Sequence, residues 1–148
     1  MTNDERTVAR VVRLLPASPA VVYDEWLDPE ALSDWMCPRP ARAHRIDLEP
    51  VVGGKLRIDI EENGVFFVVM GRYVELDRPH RLSFTWTCST WPDPSAESLV
   101  TVTLESHGDG ETLMTIRHAL LPEDLVDQHE TGWASIAEQL AAELAVAR

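Results

Sequence analysis

The chain has 148 residues, 45% of them hydrophobic, which suffices for one domain with a sizeable core. Acidic side chains outnumber basic ones by 25 to 13, and the formal net charge of −12 disfavours binding to nucleic acid or to an anionic membrane surface. The basic cluster Arg39, Arg42, His44 and Arg45 is interrupted by prolines, and we interpret it as a solvated loop before a strand. We expect a single domain over residues 1–148 and no nucleic-acid partner.

The start of the sequence, Met1 to Arg6, is polar and lacks the apolar segment of a signal peptide. No hydrophobic run is long enough to cross a bilayer. Cys37 and Cys88 are too few for a disulfide framework, so both are expected to be free thiols in a reducing compartment. These features predict a cytoplasmic protein that does not enter a membrane.

The N-terminal region predicts one strand. Apolar residues alternate with polar ones between Arg6 and Leu15. Val8, Val12 and Leu14 are expected on the apolar face, and Arg13 on the opposite face. The proline that follows Leu15 ends the strand.

Two short helices are predicted next, because a capping side chain is followed by proline twice in succession. Ser18 precedes a helix from Pro19 to about Leu27, with Val22 and Trp26 directed inward. Asp28 and Pro29 repeat the signal for a helix that ends near Trp35.

From Ala43 onward the apolar period is two, which predicts six more strands joined by turns. Gly53-Gly54 marks one turn, Asn63-Gly64 a tight hairpin turn, and Gly71 a bend in a long central strand from Val65 to Leu76. The predicted same-face positions of these strands are Ile46, Leu48, Leu56, Ile58, Ile60, Leu82, Phe84, Trp86, Val100, Val102, Leu104, Thr112, Met114, Ile116 and His118.

The C-terminal segment has the spacing of an amphipathic helix with one apolar face. This face consists of Trp133, Ile136, Ala137, Leu140, Ala141 and Leu144. The tryptophan in its first turn is large enough to fill or wall a cavity at the mouth of a sheet.

The element order is therefore strand, two helices, six strands and a long helix. The turns between consecutive strands are too short for parallel crossovers, so the fold class is α+β with an antiparallel sheet.

In this order and spacing the chain resembles the START/Bet v 1-like superfamily, and within it the proteins related to the C-terminal domain of the Hsp90 ATPase activator. The segments that carry the resemblance are Pro16-Ala17-Ser18-Pro19 with Val22 and Trp26, Asp28-Pro29-Glu30 through Trp35, Gly53-Gly54, Gly71 through Glu75 with Pro79, Leu82 and Trp86, Thr112 to His118, and Gly132-Trp133. Ala119 and Leu120 stand where a small residue and glycine commonly follow in that family.

The resemblance implies a helix-grip fold, in which a seven-stranded antiparallel sheet wraps around the long C-terminal helix and two short helices lie between strands 1 and 2. It also implies an apolar cavity between sheet and helix, often in a homodimer, but no particular reaction.

The candidate ligand-binding residues are aromatic and polarizable side chains expected to face that cavity. Tryptophan and methionine suit a flat or flexible apolar ligand, although each is also a normal core residue. The candidates are Trp35, Met70, Trp86, Cys88, Trp91, Met114, His118 and Trp133.

His118 has three interpretations, namely a general base, a ligand anchor or a hydrogen-bonded structural residue. Because no partner that would orient its imidazole is evident, no catalytic residue is assigned. Nucleophile, phosphate-loop and dinucleotide motifs are absent from the sequence, and its five histidines are scattered, so neither a cofactor nor a metal is expected.

Three functions follow as hypotheses. The first is a carrier or sensor for a small hydrophobic ligand, aromatic or acyl; the second is an enzyme of cyclase, condensation or hydrolase type that uses the same cavity; the third is a chaperone-related interaction module. The run from Val65 to Met70 is apolar on both faces, with Phe66 and Phe67 on opposite sides, and predicts either an exposed apolar patch or a homodimer interface.

Overall fold

A seven-stranded antiparallel sheet and a long C-terminal helix form the fold in the computed structural model, which describes residues 7–146. This is the predicted α+β helix-grip arrangement, and a short 3₁₀ turn at Glu123–Leu125 precedes its long helix. The elements in chain order are β1 (Ala9–Leu15), α1 (Pro19–Leu27), α2 (Pro29–Trp35), β2 (Arg42–Leu48), β3 (Lys55–Glu62), β4 (Val65–Asp77), β5 (Arg81–Cys88), β6 (Ser98–His107), β7 (Glu111–Ala119) and α3 (Val126–Val146).

The strands lie in the order β1-β7-β6-β5-β4-β3-β2, so β1 and β2 are the two edges of the sheet. Hairpins connect β2 through β7, and β7 then pairs with β1. The helices α1 and α2 carry the chain from one edge to the other. None of the helices within residues 7–146 is long and apolar enough to cross a membrane.

The boundaries of α1 and α2 confirm the two capping signals. The Ser18 hydroxyl accepts a hydrogen bond from the Val21 amide at 3.5 Å, and the Asp28 carboxylate accepts one from the Glu30 amide at 3.0 Å. A proline follows each cap, where its missing N–H group has no helical partner to lose.

The core forms where the apolar stripe of α3 meets the helix-facing side of the sheet. All six residues of the predicted stripe are buried, from Trp133 to Leu144. In α1, Val22 and Trp26 are buried as predicted. These two helix faces and the inward strand positions belong to one continuous hydrophobic cluster.

The predicted apolar face of β1 was wrong. Val12 and Leu14 are 45% and 38% exposed, whereas Ala9 and Leu15 are buried. The helix side of this edge strand includes Arg13, whose guanidinium pairs with Glu138 of α3 at 3.2 Å, so a charged residue can occupy the inward-facing register. The predicted start of the strand, Arg6, lies outside the described residues.

The long strand β4 is apolar on both faces, as predicted. Val69 is buried on the helix side, while Phe66 and Met70 are 64% and 47% exposed on the outer side. The exposed apolar face is thus present. Its coverage by a second subunit in a homodimer stays a prediction.

Gly71 is required because β4 and β5 approach closely. A Cβ atom at this position would overlap the Thr85 carbonyl oxygen, and the Arg72 amide donates to the Thr85 hydroxyl at 3.0 Å. The obstacle is backbone of the neighbouring strand, which cannot rotate away.

We expect Gly71→Ala to lower the free energy of unfolding by about 1 to 3 kcal/mol, the usual cost of overpacking. Gly132→Ala is the matched control, because a Cβ there would lie at an ordinary 3.6 Å from Pro38 and alanine favours a helix by about 1 kcal/mol. Urea denaturation of both variants measures the difference. A Gly71→Ala protein as stable as Gly132→Ala would contradict this account.

Leu120 has a left-handed backbone, with φ of 61°, at the turn that leaves β7. This is the position where the resembling family commonly has glycine. Its side chain is 58% exposed, so little packing offsets the cost of this conformation, which is of order 1–2 kcal/mol for a residue with a Cβ atom.

We expect Leu120→Gly to raise the free energy of unfolding by about 0.5 to 1 kcal/mol, because relief of the strained backbone outweighs the extra freedom of glycine in the unfolded chain. Leu120→Ala removes the same exposed side chain but keeps the Cβ atom, and it should not stabilise. Thermal unfolding of the two variants distinguishes the backbone effect from the loss of the side chain.

Candidate functional site

A cavity of about 540 Å³ lies between the sheet and α3. It is bounded by β3, β4, β5, the segment after α2, the loop after β5, and the first turns of α3. The lining residues are Met36, Cys37, Pro38, Arg39, Ala41, Ile60, Glu62, Phe67, Val69, Trp86, Cys88, Thr90, Trp91, Pro92, Leu125, Gln128, His129, Gly132, Trp133 and Ile136.

Three tryptophans from three different elements share the wall of this cavity. Trp86 comes from β5, Trp91 from the loop that follows it, and Trp133 from α3. The ring centroids of Trp86 and Trp133 are 5.3 Å apart, so the two rings are in contact. With Cys88, these are the four predicted site residues that the structure brings together on the cavity surface.

The other four predicted residues lie elsewhere. Met70 is on the outer face of β4, because strand alternation gives the cavity side to Phe67 and Val69. Met114 is fully buried in the core, and Trp35 is fixed at the end of α2 by a 3.0 Å hydrogen bond from its indole to Glu25. His118 is fully buried and does not line the cavity itself, but it is hydrogen-bonded to the wall residue Trp133.

His118 joins α3 to the sheet through a hydrogen-bond chain. The indole N–H of Trp133 donates to Nδ1 of His118 at 2.9 Å. Since an indole can only donate, Nδ1 carries the lone pair and the ring proton is on Nε2, which donates to the Ser98 hydroxyl at 2.7 Å. Ser98 in turn donates to the Trp86 carbonyl at 2.7 Å. Both ring nitrogens of His118 and the Ser98 hydroxyl therefore have partners.

These hydrogen bonds and burial keep His118 as a neutral imidazole. Burial lowers the pKa of His118 well below 6.5, and the nearby His129 lowers this pKa further. A general base needs a free lone pair, but Trp133 already occupies the one on Nδ1. Of the three interpretations of His118, the geometry therefore favours a hydrogen-bonded structural residue over a general base or a ligand anchor.

Gln139 of α3 holds the segment that follows α2 and forms one side of the cavity. Its amide nitrogen donates to the carbonyl oxygens of Trp35 and Cys37 at 3.0 and 2.8 Å. Its amide oxygen accepts from the backbone N–H of Arg39 at 3.0 Å. One side chain thus fixes the path of an irregular segment.

Both cysteines are free thiols on the cavity wall. Burial raises the pKa of the Cys37 thiol to about 12, so at neutral pH it is protonated and a poor nucleophile. The sulfur of Cys88 lies 3.2 Å from the Thr90 hydroxyl. Within residues 7–146, no group of three or more histidine, cysteine or acidic side chains is placed to hold a metal ion.

Sequence reasoning missed His129, Ser98, Gln139 and Phe67. His129 lies one helical turn before Trp133, and this spacing of four residues signals a shared helix face. Strand alternation predicts that Phe67 faces the cavity once the inward-facing positions of β4 are known. Ser98 and Gln139 act through contacts with residues distant in the chain, and no local pattern marks them.

We expect the free energy of unfolding to fall as the pH drops below about 6.5, by about 1.4 kcal/mol per pH unit for His118. In that range the unfolded chain binds a proton at this histidine, whereas the folded protein, with its lowered pKa, does not. Protonation therefore favours unfolding. Above the unfolded pKa both states are neutral at this group, and its contribution no longer changes with pH.

Urea denaturation between about pH 7.5 and about pH 5.5 measures this dependence. His118→Gln, which retains an acceptor and a donor, should show a shallower slope than the wild type, and His107→Gln at the exposed end of β6 should not. Carboxylate titration is common to all three proteins. Equal slopes for the wild type and His118→Gln would contradict the assignment.

Comparison with known proteins agrees with this architecture. The crystal structure of the AHSA1 protein from Silicibacter pomeroyi has a TM-score of 0.84 and 25% identity, covering 95% of this chain and 99% of that one. The structure of CV1439 from Chromobacterium violaceum has a TM-score of 0.79 and 26% identity, covering 93% and 96%. A solution structure from Arthrobacter aurescens, 24% identical with a TM-score of 0.81 over 95% and 87%, shares the fold.

No curated protein matches the chain. The family model described as "Activator of Hsp90 ATPase homolog 1-like protein" matches residues 16–145, which include every strand from β2 to β7 and all three helices up to the last turn of α3. The chain belongs to this family, the AHSA1-like proteins.

Proposed function

We propose that this protein binds a small hydrophobic ligand, aromatic or acyl, in the cavity between the sheet and α3, and acts as a cytoplasmic carrier or sensor. The observation that carries the proposal is the cavity of about 540 Å³ with Trp86, Trp91 and Trp133 on its wall. This volume is in the range of about 300 to 1,000 Å³ that is typical of small-molecule sites.

The wall provides shape and stacking surface more than charge. Cys37 and Cys88 contribute polarizable thiols, while Ile60, Val69 and Ile136 contribute aliphatic surface. Arg39 and Glu62 also line the cavity, where their opposite charges favour neither an anion nor a cation. An apolar ligand gains most from this surface, because transfer of its rings or methylene groups from water is favourable.

The enzyme alternative has less support, since the one predicted candidate for a base, His118, has its lone pair engaged by Trp133. The chaperone-related alternative would use the exposed outer face of β4, where Phe66 is 64% exposed. That face is separate from the cavity, so the two functions can be tested independently.

The direct test is native mass spectrometry of freshly purified protein, followed by a thermal-shift screen of aromatic and acyl compounds. A specific ligand raises the melting temperature because it binds the folded state. Absence of both a retained ligand and any stabilising compound would contradict the proposal.

For an identified ligand, we expect Trp133→Ala to weaken binding and to lower the free energy of unfolding by about 3 to 5 kcal/mol, since the ring is 2% exposed. Phe67→Ala, at a half-buried cavity position, should weaken binding with a smaller loss of stability. Isothermal titration calorimetry measures both affinities.

Met114→Ala is the control for these variants, because Met114 is fully buried but does not line the cavity. It should lower stability by about 2 to 5 kcal/mol and leave affinity unchanged. Equal loss of affinity in Met114→Ala and Phe67→Ala would show that the cavity wall has no specific role.

A further inference from the structure

His129 has a hydrogen-bond acceptor that is available to a ligand in the cavity. It lies on the first turns of α3, one turn before Trp133, and its side chain lines the cavity. Its ring is placed edge-to-face against two neighbours, with centroid distances of 5.8 Å to Trp91 and 5.2 Å to His118. These contacts hold the plane of the imidazole in place before any ligand arrives.

The backbone determines which nitrogen of His129 carries the proton. Nδ1 lies 2.9 Å from the Leu125 carbonyl oxygen, one turn earlier in the chain. A carbonyl oxygen can only accept, so Nδ1 must donate and the proton of the neutral ring is on Nδ1. Nε2 therefore has a lone pair, and it has no hydrogen-bond partner among residues 7–146.

The neutral form of His129 is the relevant one. Burial lowers the pKa of this imidazole below 6.5, despite the opposing effect of the Leu125 carbonyl. The neighbouring His118 has a lowered pKa as well, and its own lone pair is engaged by Trp133. Of these two imidazoles in edge-to-face contact, His129 is the one with a lone pair free to accept a hydrogen bond from a bound molecule.

Among the other polar groups of the cavity wall, the indole N–H of Trp86 is buried without a hydrogen-bond partner in the described part of the chain, but it can only donate. The Thr90 hydroxyl contacts the sulfur of Cys88, and the guanidinium of Arg39 donates to the Asp34 carbonyl at 2.9 Å. Arg39 and Gln128 are exposed, and Glu62 at the end of β3 is partly exposed. Nε2 of His129 is an acceptor on a partly buried ring that contacts Trp91 of the cavity wall.

We propose that the ligand of this cavity is an uncharged aromatic molecule whose hydroxyl group donates a hydrogen bond to Nε2 of His129, while its rings contact Trp86, Trp91 and Trp133. This inference rests on the proposed binding function and adds the chemical class of the ligand. A ligand without the donor would displace water from Nε2 and leave that nitrogen unpaired, which disfavours its binding.

Three related probes test the proposal in isothermal titration calorimetry: 2-naphthol, 2-methoxynaphthalene and 2-naphthoate. They share the fused rings but present a donor, an ether and a carboxylate. We expect the wild-type protein to bind 2-naphthol about tenfold more tightly than 2-methoxynaphthalene, the usual value of one hydrogen bond. The two rings occupy only part of the 540 Å³, so the added methyl group does not clash.

The variant His129→Phe retains an aromatic ring of similar size and removes the acceptor. It should bind 2-naphthol and 2-methoxynaphthalene with equal affinity, while its affinity for the ether stays within about twofold of the wild-type value. Glu62→Gln is the matched control for the other acceptor of the wall, and it should retain the tenfold preference. Thermal unfolding confirms that each variant is folded.

Each unfavourable result has a distinct meaning. Equal affinity of the wild type for 2-naphthol and 2-methoxynaphthalene, or a preference that survives in His129→Phe, overturns the hydroxyl class but leaves the hydrophobic binding function intact. Tighter binding of 2-naphthoate than of 2-naphthol overturns it in favour of an anion held by Arg39. Failure of all three probes to bind contradicts aromatic binding in this cavity and the inference with it.

Discussion

The hydrogen bond from Trp133 to His118 is the interaction on which the cavity depends. It joins α3 to β7, and through Ser98 and the Trp86 carbonyl it continues into β6 and β5. An indole contributes both a large apolar surface and a single directed donor. The same side chain therefore packs the helix onto the sheet and sets the angle at which one cavity wall is presented.

Two histidines in contact perform opposite tasks because their backbone environments differ. His118 is inside the sheet, where both nitrogens are used and its imidazole only connects structural elements. His129 is on the helix, where Nδ1 donates its proton in a hydrogen bond to the Leu125 carbonyl and the lone pair of Nε2 stays available. Burial lowers the pKa of both imidazoles, which keeps their edge-to-face contact at 5.2 Å free of the repulsion that two adjacent cations would cause.

Much of the fold could be predicted from periodicity and caps. Ser18 and Asp28 marked two helix starts, and the spacing from Trp133 to Leu144 identified the buried face of α3. The register of β1 could not be obtained in this way. Its inward face contains Arg13, whose partly exposed guanidinium pairs with Glu138, a residue distant in the chain.

The candidate site was predicted only in part, because strand register was again unknown from the sequence. Composition identified aromatic and sulfur-containing side chains, and Trp86, Cys88, Trp91 and Trp133 do line the cavity. It could not separate the wall from the outer face or the deeper core, because that requires the inward register of β4 and the depth of each strand position. Hydrogen-bond partners such as Ser98 carry no local signal, because β-sheet pairing brings them together from distant parts of the sequence.

The contacts of Gln139 have a consequence for how this scaffold can change. Its side chain binds only main-chain atoms of the segment after α2, namely two carbonyl oxygens and one amide. The side chains of Met36, Cys37 and Arg39 face the cavity, yet none of them is needed to hold the segment through these three bonds. Substitutions there can alter the shape and polarity of the cavity while these three bonds keep the path of the segment. Met36 and Cys37 are buried, so the packing cost of replacing them remains.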